Sequence, residues 1–157
     1  MVIIGRISTL DVCFFATFAF IQIVCMMEMT LEKRAEKAAD LKEHKGYNCC
    51  QAVTAVLVDE TSLTEEQLYQ ISSGIALGLG SMEGSCGALV GAAMIMGMQI
   101  KGKGSVRYIK QLSNLFKEKS GAVICGELKG MNTGVIRCSC ADCVKNAVMA
   151  YGEIMGL

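Results

Sequence analysis

An all-α fold, a compact bundle of five or six helices joined by glycine-rich turns, is predicted by three observations. The chain has no proline against 17 glycines, it has few runs in which β-branched residues alternate with polar ones, and apolar residues recur at helical spacing behind capping residues. Together these point to helices broken by glycine and argue against a proline-punctuated β-sandwich. A length of 157 residues fits one such domain.

The first 29 residues stand apart from the rest. Val12 to Met27 is an uncharged run holding four of the five phenylalanines, and it ends where the charged stretch beginning at Glu28 takes over. The run falls just short of the roughly 20 residues that span a bilayer, and it matches a signal h-region with Arg6 upstream. Asp11 and the lack of a small-x-small cleavage site stand against a signal peptide, and Gln22-Ile23-Val24-Cys25 lacks the small residues that precede a lipid-modified cysteine. Residues 1–29 are therefore read as a start assigned too far upstream, with Met26, Met27 or Met29 as the true start. The alternatives are a membrane anchor or uncleaved signal, and cleaved export. Residues 30–157 form the helical domain.

Leu31 to Lys45 is charged and alanine-rich, with Leu31, Ala35, Ala38, Ala39 and Leu41 near helical spacing and Gly46 as a stop, so it predicts a surface helix. Asn48 caps a helix from Cys49 to Val58. Thr64 opens another to about Leu77 through the box Thr64-Glu65-Glu66-Gln67. After a turn containing Gly78, Gly80 and Gly84, Ser85 is placed to cap a long apolar helix from Cys86 to about Ile100. Its residues Gly87, Ala88, Gly91 and Ala92 make a small face that lets another backbone approach closely, a packing surface rather than a ligand site. Lys101 to Gly104 is a loop, Ser105 to Lys119 an amphipathic helix, and Cys125 to Lys129 at most a short turn ended by Gly130. Ser139, with Asp142 three residues on, starts the last helix, Cys140 to Ile154.

Lys+Arg and Asp+Glu are equal at 15 each, and no long basic or acidic run occurs, so nucleic acid and anionic surfaces are not expected as partners. The single histidine, His44, falls in the exposed charged helix. No Ser-His-Asp set can be built from it, and no P-loop or dinucleotide fingerprint follows a strand. Nine cysteines are the outlier, which turns the search for chemistry toward sulfur.

Three cysteines directly follow a capping residue: Asn48-Cys49, Ser85-Cys86 and Ser139-Cys140. At a helix start the unpaired amides and the dipole favour a thiolate over a thiol. Lowering a cysteine from about 8.5 to about 7 takes ~2 kcal/mol, whereas an exposed helix end supplies ~0.3–1 and a partly buried one up to ~2. Only partly buried thiols become reactive this way. Two chemistries fit: a dithiol/disulfide couple, or thiolates that hold zinc or an iron–sulfur cluster. For the second, Cys138-Ser139-Cys140-Ala141-Asp142-Cys143 offers a C-x-C-x-x-C chelate with Cys125 as fourth ligand. Cys49 and Cys50 make a poor second knuckle, because adjacent helical residues point about 100° apart. Val144 stands where covalent haem attachment needs histidine.

Four stretches carry a family resemblance. They are Gly46-Tyr47-Asn48-Cys49, Cys86-Gly87-Ala88-Leu89-Val90-Gly91-Ala92, Cys125-Gly126-Glu127-Leu128-Lys129-Gly130, and Cys140 with Val144 and Ala147. Over about residues 31 to 157 the chain resembles the C_GCAxxG_C_C family, recognised by four cysteines in this order and by the CGAxxG motif. The resemblance implies that Cys49, Cys86, Cys125 and Cys140 are the family cysteines, with Cys50, Cys138 and Cys143 as additions. It further implies a small helical, bacterial protein with redox activity, often encoded near transporter genes. Some relatives bind haem, but the attachment sequence is lacking here. Ala76 and Leu77 stand where family members commonly have glycine, and Met82 where a basic residue often sits, which removes one source of stabilisation for a Cys86 thiolate.

The expectation is a cytoplasmic redox protein, or one membrane-anchored through residues 12–27, that brings Cys49, Cys86, Cys125 and Cys140 together for thiol–disulfide exchange with a redox partner protein. Cys86 is the preferred attacking thiolate. The alternatives are a zinc or iron–sulfur carrier using Cys125, Cys138, Cys140 and Cys143, and a helical adaptor associated with a membrane transporter.

Overall fold

A computed structural model describes residues 29–157; the apolar segment Val12–Met27 lies outside the described residues. Residues 31–157 form one compact unit. It is all-α, with helices α1 (Leu31–His44), α2 (Cys49–Val56), α3 (Glu65–Ser73), α4 (Gly87–Gln99), α5 (Ser105–Ser120), α6 (Cys125–Leu128) and α7 (Cys140–Met155), plus a 3-10 turn at Val58–Glu60. The count exceeds five or six because the short turn expected at Cys125 closes into α6. None of the helices among the described residues is long and apolar enough to cross a membrane.

Helix starts follow local chemistry. Asn48 and Gln51 form a reciprocal capping box on α2, and Thr64 and Gln67 form one on α3. Asn48 does more than cap: its Nδ2 donates to the carbonyls of Ser72 at 3.1 Å and Ser73 at 3.2 Å, so the start of α2 is tied to the end of α3. Ser139 accepts from the Asp142 amide at 3.0 Å and starts α7. Among the described residues, α1 buries Ala35, Ala38 and Ala39. It lies against α7 where Gly152 has no side chain, since a Cβ there would sit 2.3 Å from Leu31 Cδ1.

The apolar helix α4 packs on α2, α5 and α7, and Ala88, Ala92, Ile95 and Met96 are fully buried. The small face works as packing. Cβ atoms built on Gly87 and Gly91 would come within 3.0 Å of the Ile75 and Cys50 carbonyl oxygens respectively, so the two glycines let α4 approach the backbone beside it and that of α2. Phe116 of α5 and Val144, Val148 and Tyr151 of α7 complete the core.

Helix α2 ends at Val56 instead of Val58, which opens the 3-10 turn, and two further boundaries differ from expectation. Helix α3 ends at Ser73 instead of running to Leu77, because residues 76–84 form a loop tied by Gly80 N to Ala76 O at 3.0 Å, Met82 N to Leu77 O at 2.9 Å and Gly84 N to Gly78 O at 3.2 Å. Those bonds hold Leu77, Leu79 and Met82 at φ of 51°, 58° and 63°, a left-handed conformation that costs an L-residue roughly 1–2 kcal/mol. Helix α4 is capped by Cys86, not Ser85. Ser85 instead makes an isolated antiparallel bridge with Ile124, and Cys86 N donates to Val123 O at 2.8 Å.

Candidate functional site

That bridge builds the site. Cys125 N donates to Gly84 O at 3.0 Å and Gly126 N to Met82 O at 2.7 Å, which sets the start of α6 beside the cap of α4. Gly78 completes the approach: a Cβ there would be 2.7 Å from Cys125 Cβ. With the starts of α2 and α7 alongside, the four helix starts enclose a cavity of about 310 Å³ lined by Cys49, Cys86, Cys125, Cys140 and Cys143, with Lys42 and Lys129. All four cysteines expected from the sequence therefore face one space. Cys50 and Cys138 do not line it: Cys50 Sγ lies 3.8 Å from Met94 Sδ, and Cys138 Sγ lies 3.8 Å from Asn146 Nδ2. All seven cysteines among the described residues are free thiols.

The sulfurs act on one another in pairs. Cys140 is held down to about 5, first by the hydrogen bond from the Cys49 thiol and then, against the cost of burial, by Lys129 and Lys42. Cys49 is driven well above the usual thiol range by the same contact and by burial, so in this pair Cys140 carries the charge and Cys49 the proton. Cys86 is lowered to about 7 by the hydrogen bond from Cys143, opposed by burial and aided by the amides of Ala88 and Leu89 and by Lys129. Cys143 is correspondingly raised by its contact with Cys86 and by burial. No side-chain hydrogen bond caps α4, so its first amides are left to the Cys86 sulfur. Burial raises Cys125, and the neighbouring charges of Cys86 and Cys140 add to it. Burial also pushes Cys50 up to about 12.

Access separates the two pairs. Cys140 and Cys49 are partly open to solvent, whereas Cys86 is 2% exposed and Cys143 is 0%. The outer pair can meet a reactant at the cavity mouth, and the inner pair cannot.

Sequence reasoning passed over Lys129. It follows Cys125 by four residues, one helical turn, and its ammonium donates to the Cys138 carbonyl at 2.7 Å while lying 3.9 Å from Cys143 Sγ. Burial works to lower it, but Cys143, Cys140 and Cys86 together raise it, so it stays charged beside the thiolates. This cation occupies the role left open by Met82. Cys143, expected only as a metal ligand, was likewise passed over as the partner of Cys86; its position three residues after Cys140 puts both on one face of α7. Of the proposed ligand set Cys125, Cys138, Cys140 and Cys143, only Cys138 points away from the cavity lining. Among the described residues, no group of three or more His, Cys, Asp and Glu is placed to hold a metal ion.

A family model described as "Putative redox-active protein (C_GCAxxG_C_C)" matches residues 47–154, more than half of the chain. No curated protein and no solved structure matches it.

Proposed function

This chain belongs to the C_GCAxxG_C_C family of redox-active proteins, and from that premise we propose that it exchanges disulfides through the outer couple Cys49–Cys140. The observation that carries the reading is that Cys49 and Cys140, both partly exposed, line one cavity beside Lys42 and Lys129, where Cys140 is held well below the usual thiol range. Cys140 thiolate attacks one sulfur of a disulfide on a partner protein, and the other partner sulfur leaves as a thiolate. Cys49 then attacks Cys140 Sγ in the mixed disulfide, its proton passing to the departing partner sulfur. The partner gains two electrons and departs with one thiol and one thiolate, and the Cys49–Cys140 disulfide forms.

The sequence favours Cys86 as the attacking residue, but its burial moves that role to Cys140, which has both the charge and the access. Lys129 and Lys42 are the cations that hold the attacking thiolate.

Anaerobically purified full-length chain, weighed intact before and after mild oxidation and then mapped by peptide mass, tests this. The expected result is a metal-free protein that loses ~2 Da for each disulfide formed, with Cys49 linked to Cys140. Cys140→Ser abolishes that link and Cys125→Ser keeps it. Bound zinc or an iron–sulfur cluster released on oxidation, or Cys49 and Cys140 remaining free, overturns the reading.

A further inference from the structure

The exchange described above leaves the Cys86–Cys143 pair without work. Both sulfurs are shielded from solvent, yet both line the same cavity as the outer pair. The two pairs also abut. Gly87 has no side chain at the point where α4 meets α2, and a Cβ there would lie 3.5 Å from Cys49 Cβ. Cys49, the first residue of α2, is thus seated against the first residue of α4, next in the chain to the cap, Cys86.

We infer that Cys86 and Cys143 form a second, buried dithiol couple that is oxidised by internal exchange with the Cys49–Cys140 disulfide, a role that rests on the outer couple working as proposed. Cys86 thiolate attacks Cys49 Sγ, the Cys49–Cys140 bond breaks, and Cys140 leaves as the thiolate that its surroundings favour. Cys143 then attacks Cys86 Sγ, the Cys49–Cys86 bond breaks, and the Cys143 proton goes to Cys49. Two electrons pass from the inner pair to the outer pair, and the outer pair returns to one thiol and one thiolate, ready for another partner disulfide. One chain thereby delivers four electrons in two rounds, with only the outer pair ever meeting the partner.

The direction of transfer follows from access, since an oxidant reaches only the outer pair, and the charges agree with it. A couple whose reduced form is better stabilised is the stronger oxidant. Cys140, beside both lysines and Cys49, is held lower than Cys86, so oxidation runs inward.

The test is a time course on fully reduced full-length chain given one equivalent of oxidised glutathione, trapped by alkylation at intervals and mapped by peptide mass. The expected record shows the Cys49–Cys140 link first, then the Cys86–Cys143 link rising as the first declines. In Cys140→Ser the inner link forms at least about tenfold more slowly, because the oxidant must then wait for the buried pair to open. With excess oxidant, wild type loses ~4 Da and Cys143→Ser ~2 Da. If the outer link forms and persists while Cys86 and Cys143 stay free, if Cys86 links to Cys125 instead, or if the inner link forms equally fast in Cys140→Ser, the inference falls and the outer couple stands. If the outer link never forms, both fall.

Discussion

Replacing Lys129 by methionine removes the cation nearest the reactive sulfurs while keeping a flexible apolar stem of similar length. In the folded protein its ammonium donates to the Cys138 carbonyl, lies 3.9 Å from Cys143 Sγ, and helps to hold Cys140 below the usual thiol range. Two unit charges about 4 Å apart attract by ~1 kcal/mol in water and by ~4 kcal/mol at the effective dielectric of a protein surface. The cavity is open and the lysine only half buried, so the lower part of that range applies, ~1–2 kcal/mol. At about 1.4 kcal/mol per pH unit, Lys129→Met raises Cys140 by roughly one unit, from about 5 toward about 6. The shift is not larger because the hydrogen bond from Cys49, the first cause of the low value, survives, as does Lys42.

The pH profile of Cys140 alkylation by iodoacetamide, read by peptide mass on reduced protein, measures the change. Labelling at neutral pH changes little, since Cys140 stays charged there in both forms; the difference appears between about pH 5 and about pH 6. Lys129→Arg retains the low midpoint. A midpoint moved by less than about 0.3 unit in Lys129→Met, or moved equally in Lys129→Arg, refutes the assignment of Lys129 as the counter-charge.

Three further outcomes follow from the same geometry. Gly87→Ala puts a Cβ 3.0 Å from the Ile75 carbonyl oxygen and 3.4 Å from Cys50 N, both backbone atoms, so chemical denaturation is expected to show a loss of about 1–3 kcal/mol. Leu77→Gly relieves a φ of 51° at a side chain 54% exposed; after the extra freedom of glycine in the unfolded chain is subtracted, a gain of about 0.5–1 kcal/mol is expected in the same assay. For the reduced protein, Cys140 holds its proton near 9 when unfolded and near 5 when folded. Between those values the unfolded chain binds the extra proton, so stability rises with pH, is fully gained above about 9, and is lost as pH falls through about 5. Denaturation midpoints of wild type, compared with Cys140→Ser, should therefore diverge steadily from about pH 5 to about pH 8; parallel curves would sink this linkage.

Helix starts were legible wherever the cap and its partner are three residues apart. Asn48 with Gln51, Thr64 with Gln67, and Ser139 with Asp142 each close within one turn, so short-range chemistry suffices to place them. Ser85 is a capping residue type without such a partner, since residue 88 is Ala88, and it does not cap α4 because a segment 39 residues away claims its backbone in the bridge to Ile124. The far end of α3 was misjudged for a related reason. Apolar spacing continues through Leu77, but the loop bonds of residues 76–84 turn that residue left-handed, and periodicity carries no information about such closure.

The site divides along the same line. Positions directly after capping residues single out Cys49, Cys86 and Cys140 and lead to the expectation of depressed thiols at some of them, because a helix start acts on the residue that occupies it; Cys125 joins that set only through the family resemblance. Which sulfur faces which, and how open each is, depends on where four separate helix starts meet. Gly78, Gly87 and Gly91 permit that meeting by leaving out side chains that would otherwise strike Cys125, Ile75 and Cys50. The meeting pairs Cys140 with Cys49 and Cys86 with Cys143, buries the second pair, and brings Lys129 to both. Amino-acid types along the chain settle that the protein is helical and point its chemistry toward sulfur; the division of those sulfurs into an open pair and a closed one arises only from packing between distant segments.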